Sequence, residues 1–305
     1  MKAIVTGGLG FVGQAVARRV ADAGTQVVQL DSARGDDAPG VVRGDIADRG
    51  LLASLLEPGD VVFHLAGIRA AAGERDFDLA LQINLDGSRS LLEACRAVGG
   101  IRLVFASTIA VFGGSSMPEV VDEATRPNPQ TTYGATKAAV ELLVNDYARR
   151  GFVDGRVGRL ATVIVRPDPP GPGTSAYASA VVREGLAGRE YSLPVAAETG
   201  LAVIGVRTAA ECLVRLSEPP GDVFGDDRVL NLPNLSITAG ELIEAVRRAG
   251  AVSAIGVRPD PEIEAVVRAW PIAARAERAL ALGLPQDLSL DAIVQAYAED
   301  AFLRT

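Results

Sequence analysis

One histidine, two cysteines, one tryptophan and two methionines in 305 residues rule out several common kinds of site at once. Metal centres that draw on two or three imidazole or thiolate ligands cannot be assembled from His64 and the widely separated Cys95 and Cys212, so no metal is expected. A serine–histidine–aspartate hydrolase would need His64, which lies inside the apolar strand-like run 61–66, where a packed and hydrogen-bonded role is the better expectation. Each cysteine falls in an amphipathic segment and reads as a buried thiol, as expected in a reducing compartment. Positive charge is also scarce, with 30 Lys and Arg against 38 Asp and Glu and a net charge of -8. Arg18-Arg19 and Arg149-Arg150 belong to helical patterns rather than to a basic stripe, so nucleic acid is not an expected partner. No apolar run approaches membrane-spanning length, and Met1 to Thr6 leads straight into a glycine-rich turn without the apolar stretch of a signal peptide. A soluble cytoplasmic protein with no membrane partner is expected.

What the chain does have is core-forming material, 48% hydrophobic residues, arranged as alternating strand and helix patterns. Strands are predicted at 3–6, 25–30, 61–66, 101–106 and 159–165, with helices at 11–23, 51–56, 74–98 and 131–150 between them. That order predicts a doubly wound parallel sheet of about seven strands over residues 1–166. Pro167, Pro169, Pro170, Gly171, Pro172 and Gly173 then interrupt regular structure, and a smaller mixed α/β lobe, mainly for substrate, is predicted over 167–305. Within it, Thr238-Ala239-Gly240-Glu241 has the form of a capping box opening a helix.

The turn Thr6-Gly7-Gly8-Leu9-Gly10-Phe11-Val12-Gly13 sits between the first strand and the first helix. Gly7 suits a tight turn, Gly10 lets backbone amides approach a pyrophosphate, and Gly13 allows the helix to pack closely on the sheet. Asp31 ends the second strand, where a carboxylate accepts both adenosine ribose hydroxyls and repels a 2′-phosphate, which favours NAD over NADP. Arg34 nearby pulls slightly the other way, because an arginine can serve a phosphate.

Lysine is confined to Lys2 and Lys137, and Lys137 stands four residues after Tyr133 on one face of a predicted helix. The pair follows a strand ending in Ser107-Thr108, and such strand ends line the cofactor cleft. A tyrosine, with an ordinary pKa of about 10, becomes a usable base when a neighbouring ammonium favours the phenolate. Tyr133 is therefore the expected proton acceptor, Lys137 its electrostatic partner, and Thr108 the hydroxyl that hydrogen-bonds the substrate oxygen. An acidic substrate would want an arginine for its carboxylate, with Arg166, Arg183 and Arg69 as candidates.

With these residues on the page, the chain resembles the extended short-chain dehydrogenases/reductases of the NAD-dependent epimerase/dehydratase family, whose fold is the Rossmann type. The matching residues are the Thr6–Gly13 turn, Asp31, Gly44-Asp45-Ile46, His64-Leu65-Ala66, Asn84, the run from Phe105 through Thr108 to Gly113, and the Tyr133/Lys137 pair. The resemblance implies NAD bound by Gly7, Gly10, Phe11, Val12, Gly13 and Asp31, with Asp45 and Ile46 beside adenine. It further implies Leu65, Ala66 and Gly67 beside the ribose, Lys137 and Tyr133 on the nicotinamide side, and Asn84 supporting the long helix. Substrate is expected at Ser107, Thr108, Tyr133 and Arg166. A narrower likeness, carried by Asn84-Leu85-Asp86-Gly87, Pro118-Glu119-Val120-Val121, the run 145–156, the run 162–167 ending in Arg166-Pro167, Leu230-Asn231-Leu232-Pro233 and Trp270-Pro271, resembles the D-erythronate dehydrogenases. It implies oxidation of a small sugar acid to its 2-keto form; the alternative is a nucleotide-sugar epimerase or dehydratase that keeps its NAD, and more remotely a non-catalytic NAD-binding protein. Many relatives dimerise through the helices at 74–98 and 131–150, so a homodimer is expected.

Overall fold

A computed structural model describes residues 1–33, 38–167, 175–251 and 254–302 of the chain. Arg34 and the proline- and glycine-rich run 168–173 lie outside the described residues.

Short runs of β-branched and apolar residues build strands β1 (Ala3–Thr6), β2 (Val27–Asp31), β3 (Val41–Arg43), β4 (Val61–His64) and β5 (Arg102–Thr108). Further along the chain come β6 (Val120–Val121), β7 (Asp154–Leu160), β8 (Thr162–Ile164), β9 (Tyr191–Leu193), β10 (Gly200–Gly205), β11 (Val229–Asn231) and β12 (Leu235–Thr238). Seven of them form one sheet in the order β11-β7-β5-β4-β1-β2-β3, with every neighbouring pair parallel. Strand order reverses between β1 and β4, and the crevice beyond their carboxyl ends is where doubly wound sheets bind ligands. The expected seven-stranded doubly wound sheet is therefore present.

One strand differs from the sequence-based expectation. Residues 159–165 form not one strand but the end of β7 and then β8, which leaves the main sheet after Ala161 and pairs with β10 in a second sheet ordered β12-β10-β8. The seventh strand of the main sheet is instead β11, from far along the chain.

Helices α1 (Phe11–Asp22) and α2 (Arg49–Leu55) cover the β1–β3 side of the sheet. A short α3 (Ala70–Gly73) precedes the predicted helix over 74–98, which is itself segmented into α4 (Phe77–Ala80), a π-helical turn at Leu81–Gly87, and α5 (Ser88–Val98). The long α6 (Thr132–Arg149) follows, then α7 (Ala176–Leu186), α8 (Val206–Leu216) and α9 (Ala239–Arg248). The capping box read at Thr238/Glu241 opens α9, both of its reciprocal hydrogen bonds being present. Buried apolar residues gather into two clusters on the faces of the main sheet and a third, around Ile164, Tyr177, Leu193, Val203 and Leu242, in the second lobe. Both cysteines are buried and unpaired.

A chain of side chains ties the switch point together. Thr6 Oγ1 lies 2.7 Å from His64 Nδ1, His64 Nε2 lies 2.8 Å from Ser88 Oγ, and Ser88 donates to the Asn84 carbonyl at 2.5 Å. Because Ser88 gives its only proton to Asn84, its oxygen must accept from His64 Nε2–H. His64 Nδ1 then accepts from Thr6, whose oxygen in turn accepts the Ala66 amide at 3.3 Å. Every atom has one role only if His64 is neutral. Burial, and secondarily the nearby Lys137 charge, hold it so, pushing its pKa down to about 3.

As the only histidine, His64 makes this testable. Between about 3 and the ordinary value of 6.5 the unfolded chain binds a proton that the folded chain refuses, so stability falls as pH drops through that window. Urea unfolding between pH 7 and 5.5, above most carboxylate titrations, is expected to show a slope approaching about 1.4 kcal/mol per pH unit. His64→Gln removes that slope; a slope unchanged in the variant overturns the assignment.

Candidate active site

The glycine turn is shaped by contacts that a side chain would destroy. Gly7 has φ +67°, and a Cβ there would lie 2.7 Å from the Ala66 nitrogen. A Cβ on Gly13 would meet the Gly7 carbonyl oxygen at 2.1 Å, which lets α1 sit directly against the turn. Gly10 precedes α1 and offers no side chain to cap it, leaving the first-turn amides, with half-buried Phe11 and Val12, facing outward. Asp31 is fixed by two amides, Leu9 N to Oδ2 at 3.0 Å and Ala33 N to Oδ1 at 2.9 Å. Each carboxylate oxygen keeps a lone pair for a ligand hydroxyl. Asp45 is exposed and accepts the Ala47 amide, while Ile46 is buried where Gly87 leaves room for it. Leu65 and Ala66 are half-buried and Gly67 is exposed, directly after β4. Amide donors, an anchored carboxylate and a cradle that Cβ atoms would fill together fit an NAD molecule.

Asn84, in the π-helical turn, reaches across to this segment: it accepts the Ile68 amide at 2.8 Å and donates to the Ile68 carbonyl at 3.1 Å. A Cβ on Gly67 would come within 2.9 Å of Asn84 Oδ1. The expected supporting role of Asn84 thus has a concrete form, a two-way clamp on the loop after β4.

Tyr133 and Lys137 are delivered by the start of α6. Thr131 Oγ1 accepts the Gly134 amide at 3.0 Å and caps the helix, and the Thr132 amide donates to Glu74. A Cβ on Gly134 would meet the Ala110 carbonyl at 2.2 Å, so glycine allows the first turn of α6 to press against the turn that follows Thr108. Thr108 caps that turn by accepting the Ala110 amide at 3.1 Å, and its hydroxyl shares a hydrogen bond with the Tyr133 phenol. Lys137 Nζ donates to the Ala106 carbonyl at 2.9 Å and lies 4.4 Å from the Phe105 ring centroid and 5.8 Å from that of Tyr133. Thr108, Tyr133 and Lys137 are therefore brought together as the spacing predicts.

The electrostatics differ from the sequence-based expectation. Burial raises the Tyr133 pKa, and the groups opposing that rise are Arg166, then the Thr108 hydrogen bond, then Arg69. These two arginines add to the expected site, while the Lys137 ammonium, 5.8 Å from the Tyr133 ring centroid, is hydrogen-bonded to the Ala106 carbonyl. Burial pushes Lys137 itself down to about 8, with Glu141 pulling the other way.

Ser107, expected at the substrate, points the other way. It is buried and donates its hydroxyl to Glu141 at 2.5 Å, because successive residues of β5 face opposite sides of the sheet. Among the candidate arginines, Arg166 and Arg69 are the two whose charge is felt at the Tyr133 phenol. Arg183 is buried in the second lobe, paired with Glu184 at 2.9 Å and donating to the Arg166 carbonyl at 3.2 Å. Sequence reading overlooked the Thr6 and Ser88 partners of His64, and also Glu141 and Arg159, a buried ion pair beside the site. Glu141 stands four residues after Lys137, as Lys137 stands four after Tyr133, and that repeat was the available signal. Among the described residues no cluster of His, Cys, Asp and Glu could hold a metal ion, and no helix is long and apolar enough to cross a membrane.

Comparison with known proteins agrees with this geometry. Residues 3–205 match the model of the NAD dependent epimerase/dehydratase family. The chain is 45% identical to the D-erythronate dehydrogenase of Cupriavidus necator, over 99% of both chains. It is 32% identical to that of Haemophilus influenzae, over 98% of this chain and 99% of the other. The crystal structure of a nucleoside-diphosphate-sugar epimerase from Agrobacterium tumefaciens superposes with a TM-score of 0.93 at 34% identity, over 100% of this chain and 95% of that one. A glycine turn that leaves no room for side chains, an anchored Asp31 and a Tyr133/Lys137 pair beside Thr108 are thus the marks of a chain that belongs to the NAD dependent epimerase/dehydratase family.

Proposed function

We propose that the protein is an NAD-dependent dehydrogenase that oxidises a secondary hydroxyl of a four-carbon sugar acid of the D-erythronate kind to the 2-keto acid. The observation that carries this reading is the grouping of Thr108, Tyr133 and Lys137 after β5 and at the start of α6, with the positive charges of Arg166 and Arg69 favouring the Tyr133 phenolate. The alignment with two D-erythronate dehydrogenases along almost the whole chain supports the substrate class. In this reading residues 1–166 mainly hold the cofactor and 167–305 mainly shape the substrate side, in the cytoplasm.

NAD, when bound, supplies the acceptor for the hydride that leaves the carbinol carbon. Gly7, Gly10, Phe11, Val12 and Gly13 would hold its pyrophosphate, Asp31 the adenosine ribose, Asp45 and Ile46 the adenine, and Leu65, Ala66, Gly67, Tyr133 and Lys137 the remainder. Tyr133 Oη, as phenolate, takes the substrate hydroxyl proton, and Thr108 orients the same oxygen. Arg166, and beside it Arg69, pairs with the substrate carboxylate and also favours the phenolate. Turnover in the oxidising direction therefore rises with pH on its acid side, because Tyr133 must be ionised. Purified protein mixed with NAD and D-erythronate is expected to generate reduced cofactor. Tyr133→Phe is expected to lower kcat by about 10³-fold or more while NAD affinity stays near that of the native protein. Retained turnover in Tyr133→Phe sinks the proton-transfer role. The A. tumefaciens epimerase structure favours a second reading, a nucleotide-sugar epimerase, which predicts tightly held cofactor and no net reduction.

We also propose a homodimer formed through α4, the π-helical turn and α6. Phe77 and Leu142 are 58% and 71% exposed there, and Leu81, Leu85, Ala135 and Ala139 line the groove beside them. Stranded apolar area of this kind marks an interface. Sedimentation is expected to give a dimer for the native chain and a monomer for Leu142→Arg; a dimer that survives this charge overturns the assignment of the face.

A further inference from the structure

The α6 face that carries Tyr133 and Lys137 continues one turn further to Glu141, a carboxylate 3% exposed. Its hydrogen-bond partners among the described residues, Ser107 and Arg159, are buried as well. Ser107 Oγ donates to Oε1 at 2.5 Å, Arg159 Nε donates to Oε1 at 2.9 Å, and the second arm of Arg159 donates to Oε2 at 2.7 Å. Arg159 is itself 4% exposed and stacks 4.8 Å from the Phe112 ring centroid. Two successive residues of β5 are therefore tied to α6, Ala106 through its carbonyl to Lys137 and Ser107 through its hydroxyl to Glu141. Thr108 is the next residue along that strand.

We propose that Glu141 is a positioning residue for the Thr108–Tyr133–Lys137 site: it locks the end of β5 through Ser107 and is the buried counter-charge of the Lys137 ammonium, with Arg159 setting how much of its charge Lys137 feels. The inference rests on the functional reading above for its relevance to turnover, and on the hydrogen-bond geometry for its substance. An ammonium without an acid nearby, buried as Lys137 is, would lose its proton near neutral pH. Among the described residues, Glu141 is the acid whose charge raises the Lys137 pKa, against the larger effect of burial. His64 on β4 is held neutral, Tyr133 on α6 is a phenol at rest, and Arg159 on β7 carries positive charge. Glu141 makes its ion pair with Arg159, and its effect on Lys137, one turn back on the same buried helix face, is exerted through low-dielectric interior, where one charge is worth far more than in water.

The scarcity of lysine supplies the test. Protein labelled with ¹³C at lysine Cε carries two resonances, from Lys2 and Lys137, and their titration reports each ammonium without any turnover. In the full-length native protein Lys137 is expected to titrate near pH 8 and Lys2 well above it. Glu141→Gln, which keeps an acceptor for Ser107 but removes the charge, is expected to lower the proton affinity of Lys137 roughly tenfold and leave Lys2 unmoved. Arg159→Gln, which removes the cation that offsets Glu141, is expected to move Lys137 the other way, so one folded variant of the two suffices. A Lys137 midpoint that stays in place in whichever variant folds overturns the proposal. The pH profile of kcat separates this inference from the functional reading. If the resonance moves and the profile does not, Glu141 is the counter-charge of Lys137 and it is the role of Lys137 in turnover that fails.

Discussion

How closely the carboxyl ends of β1 and β4 approach one another governs everything built above them. The Gly7 turn passes within van der Waals contact of Ala66, and no side chain fits between. That proximity lets Thr6 on one strand reach His64 on the other, and through Ser88 it reaches the π-helical turn that carries Asn84. Asn84 then clamps the loop after β4. A crevice that opens in doubly wound sheets because strand order reverses is thus given a fixed floor by one unbroken hydrogen-bonded line, in which each hydroxyl donates once and accepts at least once.

Above that floor the contest is between desolvation and local charge. Burial works against ionisation of Lys137 and of Tyr133 alike, and in both cases it is the largest effect. Neighbouring charge opposes it with a sign suited to each group: an acid near the ammonium, and two guanidinium groups near the phenol. The fold obtains that arrangement by drawing its charges from different elements. Glu141 comes from α6 and Arg159 from β7, while Arg69 follows β4 and Arg166 follows β8. The phenol is therefore sensitive to the second lobe, since the Arg166 backbone is held by Arg183 of α7.

Much of this was legible from residue order. The glycine turn, Asp31 and the Tyr133/Lys137 pair rely on short-range spacing, which a sequence displays directly, and all fall where expected on strand, turn and helix. What escaped depended on longer-range geometry. Residues 159–165 are apolar except for Arg159 and Thr162, with no proline or glycine to show that the chain changes sheets at Ala161. The widening of the helix at Leu81–Gly87 leaves apolar periodicity almost intact. Ser107 and Thr108 offer the same functional group, and alternation along a strand says that one of them must face away without saying which. The arginine charges felt at Tyr133 come from distant points of the chain, Arg69 after β4 and Arg166 after β8, which no short spacing links to it.

That return of the chain has a consequence for modularity. The main sheet is completed by β11, more than sixty residues beyond the point where the chain has already entered the second sheet. A fragment ending at 166 would therefore leave the outer edge of β7 bare along Val157, Gly158 and Arg159, offering unpaired amides and carbonyls to any passing strand. The cofactor half is not a cassette that recombination could lift out by a single cut, because the two halves are laced through one another. Their genes would have to be inherited, and diversified, as one piece.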